Sequence, residues 1–327
     1  MNNDIILEVK GLKTYFNTDD GVVKAVDGVS YNLRKGETLG LVGESGSGKS
    51  VTNLSVMKLI PSPPGKIMAG TAMMDGENIL EKSEAEMRKI RGNKISMIFQ
   101  DPMTSLNPFL RIATQMIETI VLHKKVDKAA ARARAVEMLE LVGIPNPAEK
   151  INNYPHQFSG GMRQRVMIAM ALSCDPEILI ADEPTSALDV TIQAQILELI
   201  QDLSSRLGTA VMMITHDLGV VAGMCDRVVV MYAGQLVEKG TNVEIFGDPK
   251  HPYTQGLIKS VPRLDQPSQE RLFSIDGQPP NVIDLPECCP FYPRCDKAME
   301  VCKSKYPPVK ALSDEREVRC WLFKEGE

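Results

Sequence analysis

Residues 43–50 read G-E-S-G-S-G-K-S, a full match to the phosphate-cradling pattern G-x-x-x-x-G-K-[ST]. Glycines at this spacing let the backbone curl so that successive N–H groups converge, and an anion is the natural occupant of that point. The apolar run Thr38-Leu39-Gly40-Leu41-Val42 precedes the loop, and a helix is predicted to open directly after it, adding the positive end of its dipole. The pattern predicts binding of a nucleoside triphosphate by Gly43, Glu44, Ser45, Gly46, Ser47, Gly48, Lys49, Ser50 and Val51. Lys49 would reach the β- and γ-phosphates, and Ser50 would ligate Mg²⁺.

A second constellation lies at Ile178-Leu179-Ile180-Ala181-Asp182-Glu183, an apolar strand pattern delivering two carboxylates at its end. Open α/β sheets bind ligands at that edge. Asp182 is placed to join a Mg²⁺ shell and Glu183 to polarise a water attacking the γ-phosphate. The same pair also suits capping of a following helix. Between loop and carboxylates, Phe158-Ser159-Gly160-Gly161-Met162-Arg163-Gln164-Arg165-Val166 opens an apolar-periodic helix. Ser159, Gly160 and Gly161 at that helix start form a second anion-binding geometry. One nucleotide seldom needs two such sites on one chain, so this one is expected to face the nucleotide of a partner subunit; an ordinary N-cap has the same residues.

The elements that must carry these groups follow from the periodicity. Residues 5–9, 29–33 and 72–74, the last with an Asp75-Gly76 turn, predict an antiparallel β portion near the front. Residues 95–99, 178–182, 211–215 and 228–232 predict buried core strands, apolar on both faces. Helices are predicted over 111–122 and 127–142, with Gly143 as the stop, so a helical insert of about 101–175 separates two core strands. The fold class is α/β, a P-loop NTPase core with a largely parallel sheet. From about Asp248 onward the chain turns proline-rich, which predicts a second, irregular domain over 251–327 after a nucleotide-binding domain of 1–250.

The chain has 327 residues, 43% hydrophobic and 24% charged, enough for two domains with a sizeable core. A formal charge of −5 leaves no global footprint for nucleic acid, so none is expected as partner. No stretch approaches the roughly 18 apolar residues of a membrane span, and Met1-Asn2-Asn3-Asp4 does not open a signal sequence, so a cytosolic chain is expected. Of seven cysteines, Cys288, Cys289, Cys295, Cys302 and Cys320 crowd into the C-terminal stretch. In a reducing cytosol such a cluster points first to a metal or cluster site.

The order of phosphate loop, Gln100, S-G-G signature, Asp182-Glu183, Ser186-Ala187-Leu188-Asp189 and His216 resembles the ATP-binding-cassette ATPases over most of residues 1–250. The resemblance implies roles for several further residues. Tyr15 would stack on adenine, with Phe16 as the alternative. Gln100 would sense Mg²⁺ and water, Glu183 act as general base, Asp189 sit in the dimer loop and His216 contact the γ-phosphate. The usual signature L-S-G-G-Q is altered, with Phe158 first and Met162 last, while Ser159, Gly160 and Gly161 are intact.

Met97-Ile98-Phe99-Gln100-Asp101-Pro102-Met103-Thr104-Ser105-Leu106-Asn107-Pro108, the S-G-G-M-R-Q-R run and His251-Pro252-Tyr253-Thr254 resemble more narrowly the D-type ATPase of bacterial oligopeptide and dipeptide permeases. That group implies a subunit on the cytoplasmic face of the cell membrane, a paralogous F-type ATPase partner, two membrane permease subunits and an external binding protein. Relatives carrying nickel chelates, opines or glutathione leave the cargo open. The resemblance also implies a 4Fe–4S cluster held by Cys289, Cys295, Cys302 and Cys320, following the tail pattern C-P-F-x-P-R-C, then Cys, then Cys. By chemistry alone, four thiolates suit tetrahedral Zn²⁺ as well as a cubane, and the spacings match neither short zinc pairs nor a bacterial ferredoxin. A soluble cassette ATPase of DNA repair or of the ribosome is the rival class. It would need long heptad arms, inserted zinc modules or two cassettes on one chain, and none of these is in the sequence. Residues 102–122, with Leu106, Phe109, Leu110, Ile112, Met116 and Ile117, carry more apolar surface than one insert helix needs, and are expected to receive a helix of the membrane subunit.

Overall fold

All four apolar runs expected as core strands are strands in the computed structural model of the chain, which describes residues 4–101, 105–186, 188–261, 274–283 and 285–323. In chain order the strands are β1 Ile5–Thr18, β2 Gly21–Arg34, β3 Thr38–Val42, β4 Gly65–Met74, β5 Glu77–Asn78, β6 Ile95–Ile98, β7 Ile178–Asp182, β8 Ala210–Thr215, β9 Arg227–Tyr232, β10 Gln235–Thr241, β11 Val309–Ala311 and β12 Glu317–Arg319. The chain divides between two compact units. One comprises Arg34–Glu37, Glu81–Met213 and the residues up to Ile6; the other comprises Leu7–Leu33, Thr38–Leu80 and Ile214–Glu327.

The unit holding the phosphate loop has two sheet portions. The first is antiparallel in the order β2-β1-β4-β5, with Val9 opposite Ala72. Asp75 and Gly76 turn β4 into β5 with φ of 52° and 77°, the doubly positive pair a tight hairpin requires. β1 runs well past the five residues its periodicity predicts, because a register shift between Lys10 and Lys13 breaks the alternation. The second portion runs β11-β12-β10-β9-β3. β3 is parallel to β9, Val42 opposite Val230, and buried from Leu39 to Val42. β10 and β12 add on antiparallel. The proline-rich stretch expected as an irregular domain of its own thus contributes strands here, and Val23 bridges to Ile283.

In the other unit β6 and β7 are parallel, Ile95 opposite Ile178, with β8 on the far side of β7. The expected helical insert lies between β6 and β7 in the chain. Its helices Ile112–Lys124 and Lys128–Leu141 fall within two residues of their predicted limits. Asp127 caps the second by accepting from the Ala130 N–H at 2.8 Å, and Gly143, with φ 74°, ends the turn as expected. The surplus apolar surface expected after Gln100 needs correction. Ile112 and Met116 are buried on the inward stripe of the first insert helix, Leu106 is buried ahead of it, and Ile117 is half-buried. Phe109, 85% exposed, and Leu110, 37% exposed, are the ones that face solvent; Pro102, Met103 and Thr104 lie outside the described residues.

One buried polar cluster ties the start of the C-terminal stretch to β10. Glu238 accepts from the backbone N–H groups of Lys250 and His251, both at 2.8 Å. His251 Nδ1 in turn accepts from the Tyr253 N–H at 3.0 Å, capping the Pro252–Lys259 helix. That acceptor role needs a neutral imidazole, and burial pushes the His251 pKa from 6.5 down to about 3. Between those values the unfolded chain binds a proton that the native chain refuses. The contribution is complete above pH 6.5 and is lost as pH falls below it, at about 1.4 kcal/mol per pH unit. His251→Asn keeps a capping acceptor without the titration. Denaturant melts from pH 7 to 5 should show a shallower loss of stability in the variant than in the parent; equal slopes would place the pH dependence elsewhere.

Candidate active site

The phosphate loop is shaped by close backbone approaches. A Cβ on Gly43 would run into the Met231 carbonyl, and one on Gly48 into the Ala25 carbonyl; both glycines have positive φ, 154° and 101°. Only glycine fits at either place. The loop is also pinned by the Gly234 N–H, which donates to the Ser47 carbonyl at 3.0 Å. The helix Lys49–Val56 opens immediately afterwards, with no side-chain cap and no acidic residue in its first turn. Its first amides and its dipole therefore stand open to an anion. Lys49 is 6% exposed and donates to the carbonyls of Gly43 and Glu44 at 2.8 and 3.0 Å. Ser47 Oγ, on a residue 4% exposed, has no hydrogen-bond partner, an orphaned donor inside the cradle. These features fit a phosphate group. On β1, the Tyr15 hydroxyl donates to Asp27 at 2.8 Å, which fixes the ring's orientation, while Phe16 packs against Gly65.

The other unit brings two predicted groups together. Gln100 follows β6, Glu183 follows β7, and the parallel pairing of these strands puts both at one sheet edge. Gln100 Nε2 donates to Glu183 Oε2 at 3.0 Å. Asp182, 6% exposed, ends β7 and supplies a hard oxygen of the kind Mg²⁺ prefers. Glu183 adopts φ 46°, a left-handed backbone that non-glycine residues seldom take. The Ser186 N–H and hydroxyl donate to its carbonyl at 3.3 and 3.2 Å and help to hold that conformation.

Sequence reasoning missed Gln164. It is 1% exposed in the signature helix Gly160–Leu172, and its side chain donates to the Pro184 carbonyl next to Glu183. An amide on the apolar face of a helix was the available signal. Ser159 caps this helix by accepting from the Met162 N–H at 3.3 Å, and Phe158 is buried, filling the place of the usual leucine. A Cβ on Gly160 would meet nothing within 4 Å, and Gly161 lies against Ile192. Asp189 caps the Val190–Leu207 helix through the Ile192 N–H at 3.1 Å. His216 is exposed just beyond β8, between Thr215 and the helix cap Asp217.

The C-terminal cysteines do not form the expected ligand cage. Among the described residues no three His, Cys, Asp or Glu side chains come close enough to hold a metal ion. Burial pushes the Cys289 thiol up to about 12 and Cys320 up to about 11.

Residues 26–186 match the ABC transporter family, and residues 237–302 match the oligopeptide/dipeptide transporter C-terminal region. The oligopeptide transport ATP-binding protein OppD of Bacillus subtilis is 54% identical over 97% of this chain and 89% of its own length. The dipeptide transport ATP-binding protein DppD of the same organism is 54% identical over 97% and 94%. OppD of Salmonella typhimurium is 52% identical over 97% and 94%. Among solved structures, the dimeric ATP-binding cassette MJ0796 in a post-hydrolysis state bound to ADP and Pi superposes with a TM-score of 0.64 at 28% identity, covering 72% of this chain and 98% of that one. With more than half of its residues shared over nearly the full length of such proteins, on the backbone of a solved cassette, the chain belongs to the ABC transporter ATP-binding proteins of the oligopeptide and dipeptide transport family.

Proposed function

We propose that the chain is the ATP-hydrolysing subunit of an importer that energises uptake of di- and oligopeptides. Its family membership supports the ATPase activity and the peptide cargo. The observation that carries the catalytic assignment is the 3.0 Å bond between Gln100 and Glu183, two groups 83 residues apart that the chemistry requires together. Lys49 and the loop amides bind and orient the phosphates, Ser50, Gln100 and Asp182 supply the Mg²⁺ ligands, and Tyr15 stacks on adenine. Bound Mg²⁺ would neutralise charge on the transferring phosphoryl group. Glu183 takes the proton of the attacking water, held at its post by Gln100, and His216 contacts the γ-phosphate.

Ser159, Gly160, Gly161 and Asp189 serve the nucleotide of a second ATPase subunit, a paralogous F-type partner. The open space beside Gly160 and the exposed positions of Ser159 and Asp189 support that role. Among the described residues no helix is long and apolar enough to cross a membrane. Two permease subunits supply the path, an external protein delivers the peptide, and this chain works peripherally at the cytoplasmic face. A crevice lined by Met97, Phe99, Leu106, Met167 and Met170, together with exposed Phe109 and Leu110, has the character of a docking groove for a permease helix. In the C-terminal region 251–327, Cys289, Cys295, Cys302 and Cys320 would hold a 4Fe–4S cluster, with Zn²⁺ as the alternative, once their four sulfurs are drawn together around it. The tail pattern of these cysteines and the match of residues 237–302 to the oligopeptide/dipeptide transporter C-terminal region support this.

Removing the base should separate binding from chemistry. Glu183→Gln is expected to keep MgATP affinity, lose about 10²–10⁴-fold in turnover and accumulate a closed ATP-bound dimer, whereas Lys49→Ala weakens binding itself. Near-parental turnover of Glu183→Gln in the assembled transporter would sink the assignment.

Anaerobically purified protein should be brown and hold about four irons and four sulfides per chain. Stoichiometric zinc without iron would overturn the cluster. Phe109→Glu and Leu110→Glu should uncouple ATP hydrolysis from transport while the isolated chain binds nucleotide normally; normal import by both variants would remove the docking role.

A further inference from the structure

Glu44 is the second residue of the phosphate loop, and its carboxylate opposes the charge of any triphosphate the loop takes up. That charge is met from 250 residues away. Arg294 forks onto it, Nη1 donating to Oε2 at 2.7 Å and Nη2 to Oε1 at 2.9 Å. The Arg294 side chain is 5% exposed and that of Glu44 25% exposed, so salt screens the pair far less than a surface bridge. The guanidinium is fixed on its other edges as well. Nε donates to the Asp276 carbonyl at 3.0 Å, Nη2 to the Ile275 carbonyl at 3.3 Å and Nη1 to the Tyr232 hydroxyl at 3.3 Å.

The backbone of Glu44 has a separate tie. Its N–H donates to the Tyr253 hydroxyl at 2.8 Å. Tyr253 packs on Tyr232 with ring centres 4.6 Å apart, and Phe291 stands edge-on to both at 5.4 and 5.2 Å. Phe291 and Arg294 belong to one tight segment. The Tyr292 N–H donates to the Cys289 carbonyl at 3.1 Å, Arg294 N–H to Phe291 at 3.0 Å and Cys295 N–H to Tyr292 at 3.3 Å. Pro279, Pro280 and Val282 complete the contact, sharing a narrow crevice with Glu44, Ser45 and Ser47. The loop that cradles phosphate is therefore braced, in side chain and in backbone, by the C-terminal stretch.

We propose that Arg294 is a positioning residue for the nucleotide: its fork cancels the negative charge that Glu44 brings to the loop and so keeps the loop receptive to phosphate, while Tyr253 separately holds the Glu44 backbone. The C-terminal segment thereby sets the affinity of the loop for MgATP. This rests on the assignment of residues 43–50 as the nucleotide site, and Lys49→Ala tests that assignment separately.

The test is calorimetric titration of the full-length chain with MgATP and MgADP. Arg294→Gln leaves the Glu44 carboxylate uncompensated and is expected to weaken MgATP binding on the order of tenfold. The deficit should be smaller for MgADP, which carries less charge, and smaller again at high salt. Arg294→Lys keeps the charge without the fork and should fall between parent and Arg294→Gln. Adding Glu44→Gln to Arg294→Gln should restore most of the affinity, a rescue that a merely structural brace would not give. If Arg294→Gln alone does not fold, the neutral pair Glu44→Gln with Arg294→Gln carries the test: affinity within about threefold of the parent supports the proposal, and a tenfold loss overturns it. Parental MgATP affinity in Arg294→Gln, or a double variant no better than the single one, also overturns it. Should Lys49→Ala bind MgATP like the parent, the nucleotide-site assignment itself fails; if only Lys49→Ala loses binding, that assignment stands and the role of Arg294 falls.

Discussion

The phosphate loop exists because three backbones meet where no side chain fits. Gly43 lies against the Met231 carbonyl at the end of β9, Gly48 against the Ala25 carbonyl of β2, and Gly234 against the carbonyls of Lys24 and Ala25. The Asp27 N–H donates to the Gly234 carbonyl at 2.8 Å and the Gly234 N–H to the Ser47 carbonyl, so the strands and the loop are stitched by main-chain bonds. The loop's shape is thus set by sterics and peptide geometry rather than by contacts a side chain could adjust. A single Cβ would push apart the sheet that supports it. The orphaned Ser47 hydroxyl and the uncapped start of the Lys49–Val56 helix are what that shape leaves available for an anion.

The second unit solves a different problem, that of keeping charged groups at the edge of an apolar sheet. β7 is buried along its whole length, and Asp182 and Glu183 appear only as it ends. Glu183 holds a left-handed backbone, which costs about 1–3 kcal/mol in an isolated residue. Its surroundings offset that cost: Gln100 engages the carboxylate, Ser186 engages the carbonyl, and Gln164 anchors the neighbouring Pro184 from the signature helix. Strain supported from several sides in this manner fixes where the Glu183 carboxylate points. The helix Gly160–Leu172 is thereby tied to the residue next to Glu183 through a buried amide.

The local structure of the chain was legible wherever it depends on neighbours in the sequence. The phosphate loop, the strand that ends in two carboxylates, the capped signature helix and the insert helices all arise from sterics, alternation and capping within a few residues, and all stand within two residues of where periodicity puts them. Legibility failed first in β1, where the shift at Lys10 and Lys13 scrambles the alternation. It failed again in β10 and β12, strands rich in polar residues such as Gln235, Glu238 and Glu317 that gain their place by pairing rather than by burial of a continuous apolar run.

Tertiary structure alone decided which distant partners each local motif would have. Nothing in an Arg between Pro293 and Cys295 reveals that it will fork onto Glu44, because an ion pair carries no periodicity and depends only on where two separately built surfaces meet. The same holds for Gln164 on Pro184 and for the division of the apolar residues after Gln100 into buried Leu106 and exposed Phe109. It holds for the cysteines too, whose crowding in the sequence does not by itself draw four sulfurs into a cage. Sequence determined the backbone devices, since those are imposed by adjacent residues. Packing determined their electrostatic environment, since charges act through space on whatever the fold brings near.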